Sequence, residues 1–316
     1  MKIKTTIRIG FVAVVLGICS ISSVEAQQID AAGQKKKPDQ DQRMKAMGVD
    51  SMPATIFPAK KELTPTEKEA QRLYLEGSKK GKSGDYTGAI EDLTQSLALV
   101  ENGSTYMRRG FAYLLEGKFT LALQDFNEAL RLIPSNKEAI FGRGIARFEM
   151  RDYSEAEVDL AHYLSEVQTN AVAYNYMAAL CFMRQDYQCA LKNYSDVIRC
   201  DSLYPDCWLN RAMIRNYLRD FAGALEDCNV AMKYAPNDKR ILNNRATAKM
   251  FLKDYASALE DFNKAIEQDP KFAEAYINRG WVHYYLKDTE GACADWQKSL
   301  SFGIQASGDL IVKYCK

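Results

Sequence analysis

Acid–base chemistry in this chain would have to start from two histidines, His162 and His283, the only imidazoles among 316 residues. A histidine is the side chain best poised to move protons near neutral pH. These two stand far apart in sequence, and neither has a nucleophile pattern beside it. No GxSxG elbow, HExxH pair or glycine-rich phosphate loop occurs. Adjacent carboxylates do occur, at Glu91-Asp92, Glu226-Asp227 and Glu260-Asp261. Two acids held together can divide the roles of proton donor and acceptor. Here they return with a regular interval, which marks them as architecture and solvated surface. The chain reads as non-enzymatic, with no cofactor and no metal.

The cysteines point the same way. There are eight, with no CxxC and no Cys/His spacing suited to zinc. Cys19 falls inside an N-terminal leader, which leaves Cys181, Cys189, Cys200, Cys207, Cys228, Cys293 and Cys315. An odd number leaves at least one thiol unbridged within the chain. Most of them read as small apolar residues of helix packing.

A second candidate is a set of arginines, Arg109, Arg143, Arg211, Arg245 and Arg279, accompanied by Asp92, Asp125, Asp159, Asp227, Asp261 and Asp295. Unpaired, such arginines would suit a phosphate or an acidic ligand. Paired, they would be struts. The choice depends on the elements that carry them.

Those elements repeat. An aromatic or similar residue follows Asp or Lys, and an alanine comes three residues later, as in Asp85-Tyr86-Thr87-Gly88-Ala89, Lys118-Phe119-Thr120-Leu121-Ala122 and Asp152-Tyr153-Ser154-Glu155-Ala156. The marker alanines are Ala89, Ala122, Ala156, Ala190, Ala224, Ala258 and Ala292. They stand 33 residues apart once and 34 residues apart five times. Twelve residues before each marker is a small residue: Gly77, Gly110, Gly144, Ala178, Ala212, Ala246 and Gly280. Four residues after it is Leu93, Phe126, Leu160, Tyr194, Cys228, Phe262 or Trp296. Small side chains let two helices cross closely, and the bulky partner fills the space beneath. Pro134, Pro236 and Pro270 break the chain between units.

This pattern resembles the tetratricopeptide repeat family over about residues 70–306, in seven units. The resemblance implies an all-α fold, a right-handed superhelical solenoid of helix-turn-helix units with a concave inner face. The solenoid is expected over 64–306, opened by a capping box at Thr64-Pro65-Thr66-Glu67 and closed by a capping helix over 307–316. Cys293 takes the place that Ile90, Leu123, Leu191, Leu225 or Leu259 holds elsewhere. It should therefore face the cap and is the leading disulfide candidate with Cys315, two unbonded thiols in contact being the alternative.

Comparison between units resolves the arginines. In the fourth unit the Arg position is Met177 and the Asp position is Asn193, so both charges vanish together. Arg and Asp are expected to pair within a unit and tie its two helices. Asn210, Asn244 and Asn278 precede three of those arginines. The Lys-and-Asn clamp by which chaperone-binding family members grip a terminal carboxylate is not matched here, since its positions carry apolar residues such as Leu209/Met213 and Ile277/Trp281. The asparagines are expected to bond backbone between helices.

The resemblance also implies which positions face the concave side, and there this chain is apolar. Met107, Phe111, Leu114, Phe148, Phe182, Met213, Tyr217, Phe251, Trp281 and Tyr284 are the candidate peptide-binding groove. About half of this wall would instead serve packing. Flexible Met and rigid aromatic side chains suit an amphipathic helix or an extended apolar peptide.

Composition bounds the rest. With 42 basic and 41 acidic side chains the net charge is +1, which gives no electrostatic footprint for nucleic acid. Lys2, Lys4 and Arg8 precede an apolar run from Ile9 to Ile18, and Val24-Glu25-Ala26 offers a cleavage pattern. Residues 1–26 therefore read as a secretory signal peptide. The run is too short to span a bilayer, and no integral membrane segment is expected. Leu16-Gly17-Ile18-Cys19 approaches a lipoprotein signal, but Ile18 sits where a small residue belongs. Residues 27–63 are polar and aperiodic, the composition of a flexible linker. The function expected is that of an extracytoplasmic adaptor, periplasmic or secreted, that holds a protein or peptide ligand within an envelope complex. A structural spacer or self-assembly module is the alternative. A cell-wall or carbohydrate binder is a third reading, with Trp208, Trp281 and Tyr284 available to stack on sugars.

Overall fold

Most hairpins begin with a residue whose side chain caps the first helix, as Thr64, Asn102, Asn136, Asn170 and Asp238 do. Thr64 and Glu67 exchange side-chain and backbone hydrogen bonds, Thr64 N to Glu67 Oε2 at 2.8 Å and Glu67 N to Thr64 Oγ1 at 3.2 Å, and Pro65 occupies the first turn. The sequence motif at 64–67 is therefore a true capping box. The second helix of most units opens on an Asp whose carboxylate accepts the amide three residues on, as Asp85 does from Gly88, Asp220 from Gly223 and Asp288 from Gly291. Orphan amides of the first turn are satisfied this way, at about 1 kcal/mol for each cap.

The computed structural model describes residues 28–29, 35–36, 56–57, 62–201 and 205–315. The signal-peptide reading at 1–26 lies outside the described residues. Gln28–Ile29 and Lys35–Lys36 form a minimal antiparallel pair. The remainder is helical: α1 (Pro65–Lys82), α2 (Tyr86–Leu99), α3 (Gly103–Leu115), α4 (Phe119–Leu132), α5 (Lys137–Glu149), α6 (Tyr153–Glu166), α7 (Ala171–Met183), α8 (Tyr187–Cys200), α9 (Pro205–Leu218), α10 (Phe221–Tyr234), α11 (Lys239–Phe251), α12 (Tyr255–Gln268), α13 (Ala273–Tyr285), α14 (Thr289–Ser301) and α15 (Ala306–Tyr314). Every helix from α1 to α14 coincides with one half of a repeat. The chain is an all-α solenoid of helix pairs.

The helices divide into two units, one ending at Arg184 and one beginning at Gln185. In the first, α1 pairs with α2, α3 with α4 and α5 with α6. Each of these hairpins packs on the next, and the first helices α1, α3, α5 and α7 also line up against one another. In the second, the hairpins are α9–α10, α11–α12 and α13–α14, with α8 packed on α9 and α15 on α14. The repeat's bulky position forms the floor of every hairpin: Leu93, Phe126, Leu160, Tyr194, Cys228, Phe262 and Trp296 are all 0–1% exposed. Small residues opposite make this possible. A methyl group at Gly280 would lie 2.5 Å from Trp296 Nε1, and one at Gly142 would lie 2.3 Å from Phe126 Cζ.

Both terminal hairpins are covered. Ile56, 6% exposed, packs with Phe57 on Ala70, Tyr74 and Leu93, and its amide donates to Gln71 Oε1 at 2.9 Å. The 27–63 stretch is therefore not a linker throughout, because its last apolar pair is the lid on the first hairpin. At the other end Leu310 of α15 is buried with Trp296 and Ile277, Ser307 donates to Ser299 Oγ at 3.0 Å, and Cys293 is bonded to Cys315. The cap's apolar residues do not all turn inward. Val312 is 76% exposed.

Candidate binding face

The arginines make struts. Arg109, Arg143, Arg211, Arg245 and Arg279 each grip one carboxylate with two nitrogens, those of Asp125, Asp159, Asp227, Asp261 and Asp295, at 2.6–2.9 Å. Every bond runs from the first helix of a unit to its second. These five aspartates are buried, and a buried carboxylate needs such geometry to remain charged. A second base joins some of them. Arg147 Nη1 meets Asp159 at 2.6 Å, Lys249 Nζ meets Asp261 at 2.8 Å and Arg215 Nη1 meets Asp227 at 3.1 Å.

Asp261, with a second base, and Asp125, without one, differ in their electrostatics. Burial penalises the Asp261 charge, but the Arg245 and Lys249 contacts outweigh it and hold the carboxyl below its ordinary value. Burial prevails at Asp125, which has Arg109 alone, and raises that carboxyl. The same guanidiniums also reach backward. The remaining Arg nitrogen donates to Thr94, Asn127, Ser195, Asn229 or Asn263 of the preceding unit, at 2.6–3.4 Å. Sequence reasoning missed this link between units. Its signal was present as a small polar residue five positions after the marker alanine. With three nitrogens engaged, the ladder has little left for an anionic ligand.

The candidates for catalysis are engaged as well. His162 lies beside Glu166 on the exposed face of α6, at 3.6 Å. His283, in the other unit, meets Asp288 at 2.7 Å and Asp295 at 3.8 Å. Burial, reinforced by the Asp227 charge, pushes the Cys228 thiol up to about 12, which leaves it unreactive. Cys181 and Cys189 are disulfide-bonded, against the expectation that most cysteines serve as small apolar filler.

The ten residues of the expected groove separate into two groups. Met107, Phe111, Leu114 and Phe148 are 0–6% exposed. They are core, and the expectation that they line an open groove is corrected. Phe111 meets the Phe126 ring edge-on at 5.0 Å and Phe148 meets Tyr176 at 4.9 Å, so neighbouring helices already occupy the space a peptide would need. Phe182, Met213, Tyr217, Phe251, Trp281 and Tyr284 are half-buried. Five of these six lie in the second unit, on the first helices α9, α11 and α13.

There they join a row of ring pairs. Tyr217 meets Tyr187 at 4.3 Å, Phe251 stacks on Phe221 at 4.5 Å and Tyr285 stacks on Tyr255 at 5.7 Å. Each pair links the last turn of one helix to the first turn of the second helix in the preceding repeat. Trp281 and Tyr284 continue the row onto Tyr314 of the cap. Sequence reasoning named one ring of each pair and missed its partner, although the partner is the aromatic that defines the marker motif. The asparagines accompany this row. Asn278 donates to Asn243 Oδ1 at 3.1 Å, Asn244 to the Arg240 carbonyl within its own helix at 2.9 Å, and the buried Asn216 to the Asn244 carbonyl at 2.9 Å.

Comparison with known proteins agrees with this architecture. The tetratricopeptide repeat family model matches residues 104–136 and 240–272. BBSome complex member BBS4 of Bos taurus is 26% identical over 157 residues, which cover 49% of this chain and 30% of that protein. The chain thus spans less than a third of the length of the curated relatives it matches. A tetratricopeptide repeat protein from Parabacteroides merdae superposes with a TM-score of 0.52 at 19% identity, over 79% of this chain and all of that one. YrrB, described as a tetratricopeptide protein with an unusual peptide-binding site, superposes with a TM-score of 0.54 at 17% identity, over 59% of this chain and 96% of its own. At these identities the likeness concerns the fold. Among the described residues no helix is long and apolar enough to cross a membrane.

Proposed function

We propose that this chain, which has the repeat and the fold of tetratricopeptide-repeat proteins, is an exported adaptor that holds a polypeptide segment against the aromatic face of its second unit. One observation carries the reading. Met213, Trp281 and Tyr284 are half-exposed on α9 and α13, where their counterparts Phe111 and Leu114 in the first unit are sealed, and Tyr217 and Phe251 on α9 and α11 add half-exposed rings where the first unit has Leu115. Apolar surface left open in this way belongs to an interface. Rigid rings offer a large contact area at small ordering cost, which suits a peptide. The peptide-binding site in YrrB's description adds weight by analogy of fold.

Export is supported by the leader-like residues 1–26 and by the Cys293–Cys315 bond, which an oxidising compartment preserves. The covered terminal hairpins count against a spacer that grows by stacking end to end, because the faces such stacking needs are occupied by Ile56 and α15. A photo-reactive amino acid installed at Tyr285, and for comparison at the exposed Val158 of α6, tests the binding face in cells. Discrete polypeptide adducts from position 285 are expected, with none from 158. Equal yields at both positions, or none at 285, would end the proposal. Mass spectrometry of the mature N-terminus, expected at Gln27, tests export separately.

A further inference from the structure

The first helix of every unit ends on a residue in the left-handed backbone region. The first two units place glycine there, Gly84 and Gly117, as the conformation favours. The three full hairpins of the second unit do not. They carry Arg219, Lys253 and Lys287, with φ of 67–68°, as the third and fourth repeats carry Arg151 at 65° and Gln185 at 63°. A side chain kept where glycine is the easier choice calls for an explanation in what that side chain does.

Nothing within the described residues uses these three cations. All are exposed, and none forms an ion pair, whereas the bases one turn earlier, Arg215, Lys249 and His283, are all engaged by aspartates. Asp220, Asp254 and Asp288 follow the cations directly, but their carboxylates accept the first-turn amides of Gly223, Ser257 and Gly291. Those carboxylates stay charged but are fixed on the helix ends they cap. Immediately before each cation stands a leucine: Leu218 is half-buried, Leu252 is 46% exposed and Leu286 is 47% exposed. The signature Leu-basic-Asp thus recurs three times at the interval of the repeat, beside the stacked ring pairs. In the first unit the corresponding turns read Ser83-Gly84-Asp85, Glu116-Gly117-Lys118 and Met150-Arg151-Asp152, of which only the last is an apolar–basic–acidic turn of this kind.

We infer that the turn edge of the second unit, formed by Leu218-Arg219, Leu252-Lys253 and Leu286-Lys287, is a docking strip for an acidic amphipathic polypeptide segment. Carboxylates of the segment meet the three cations, and its apolar side chains meet the leucines and adjoining rings. This rests on the adaptor reading and specifies the chemistry of the partner. Charge complementarity selects the sign, and a fixed interval between identical contacts suits an ordered polymer with its own regular spacing. An anionic bilayer fits less well. Three leucines offer it little area to bury.

The backbone supplies a test that does not endanger the fold. In the variant Arg219→Gly/Lys253→Gly/Lys287→Gly each turn receives the residue its conformation prefers. The probes are a synthetic amphipathic peptide with Glu on its polar face and Leu on its apolar face, its Lys-for-Glu counterpart, and phosphatidylglycerol vesicles, each titrated calorimetrically into the mature protein. The acidic peptide should bind and the basic one should not. Binding should weaken with added salt and fall about tenfold or more in the triple variant, while thermal stability holds or rises. Equal binding of both peptides, undiminished binding by the variant, no binding of the acidic peptide, or binding of vesicles alone would each overturn the inference. Adducts at Tyr285 that persist in the triple variant would retain the adaptor and remove the strip. Loss of those adducts from the unaltered protein would remove the adaptor itself.

Discussion

Replacing Arg245 by Met and Asp261 by Asn gives the sixth repeat what the fourth already has in Met177 and Asn193. The Asp261 side chain is 2% exposed and accepts 2.6 and 2.8 Å bonds from Arg245 and one of 2.8 Å from Lys249, whose side chains are 18% and 17% exposed. Breaking a buried pair by removing one partner costs about 3–5 kcal/mol. Both cations lie near enough to water to recover part of that, so Asp261→Asn alone should cost about 2–4 kcal/mol. Arg245→Met alone leaves the carboxylate with Lys249 and should cost about 2 kcal/mol. Together they should cost less than the sum, with a coupling of about 1–3 kcal/mol. Repeat arrays open piecemeal, so the assay is hydrogen exchange across α11 and α12 in the four members of the cycle rather than one global melt. Additive losses, with coupling below about 0.5 kcal/mol, would show that the pair is not the strut described. The same strut has a pH signature. Its folded pKa is lowered, so its contribution is full above the ordinary carboxylate value near 4 and is lost as pH falls through the folded value. Protection of α11–α12 should therefore fall with acid more steeply in the unaltered protein than in the double variant.

The other expectations concern packing and the cap. Gly142→Ala places a methyl 2.3 Å from the Phe126 ring; overpacking of this kind should destabilise by about 1–3 kcal/mol, seen as a lower denaturation midpoint, and an unchanged midpoint would contradict the close approach of α5 to α4. Removing the Cys293–Cys315 bond alone by Cys315→Ser, a bond that spans 22 residues, should weaken the cap by about 3 kcal/mol. Faster exchange confined to Ala306–Tyr314 is the expected readout, and loss throughout α9–α14 would show that the bond supports far more than the cap.

What the amino-acid sequence determined by itself was whatever repeats. Seven copies of one hairpin in a single chain act as their own comparison. The joint loss of Arg and Asp in the fourth copy was enough to pair Arg109 with Asp125 and its counterparts, and the helix boundaries followed from local caps and period. Burial of the inner residues was decided by the tertiary structure. Phe111 and Trp281 hold the same place in their units, yet one is 1% exposed and the other is half-buried. Phe111 lies against Phe126 with further first helices packed beyond it, whereas Trp281 sits on the last first helix with the cap as its neighbour. Exposure at such a position is set by residues a full repeat away on an adjoining helix, and so is the reach of each arginine's third nitrogen into the preceding unit. A position's own residue type carries neither, because both arise only when one hairpin is laid against the next.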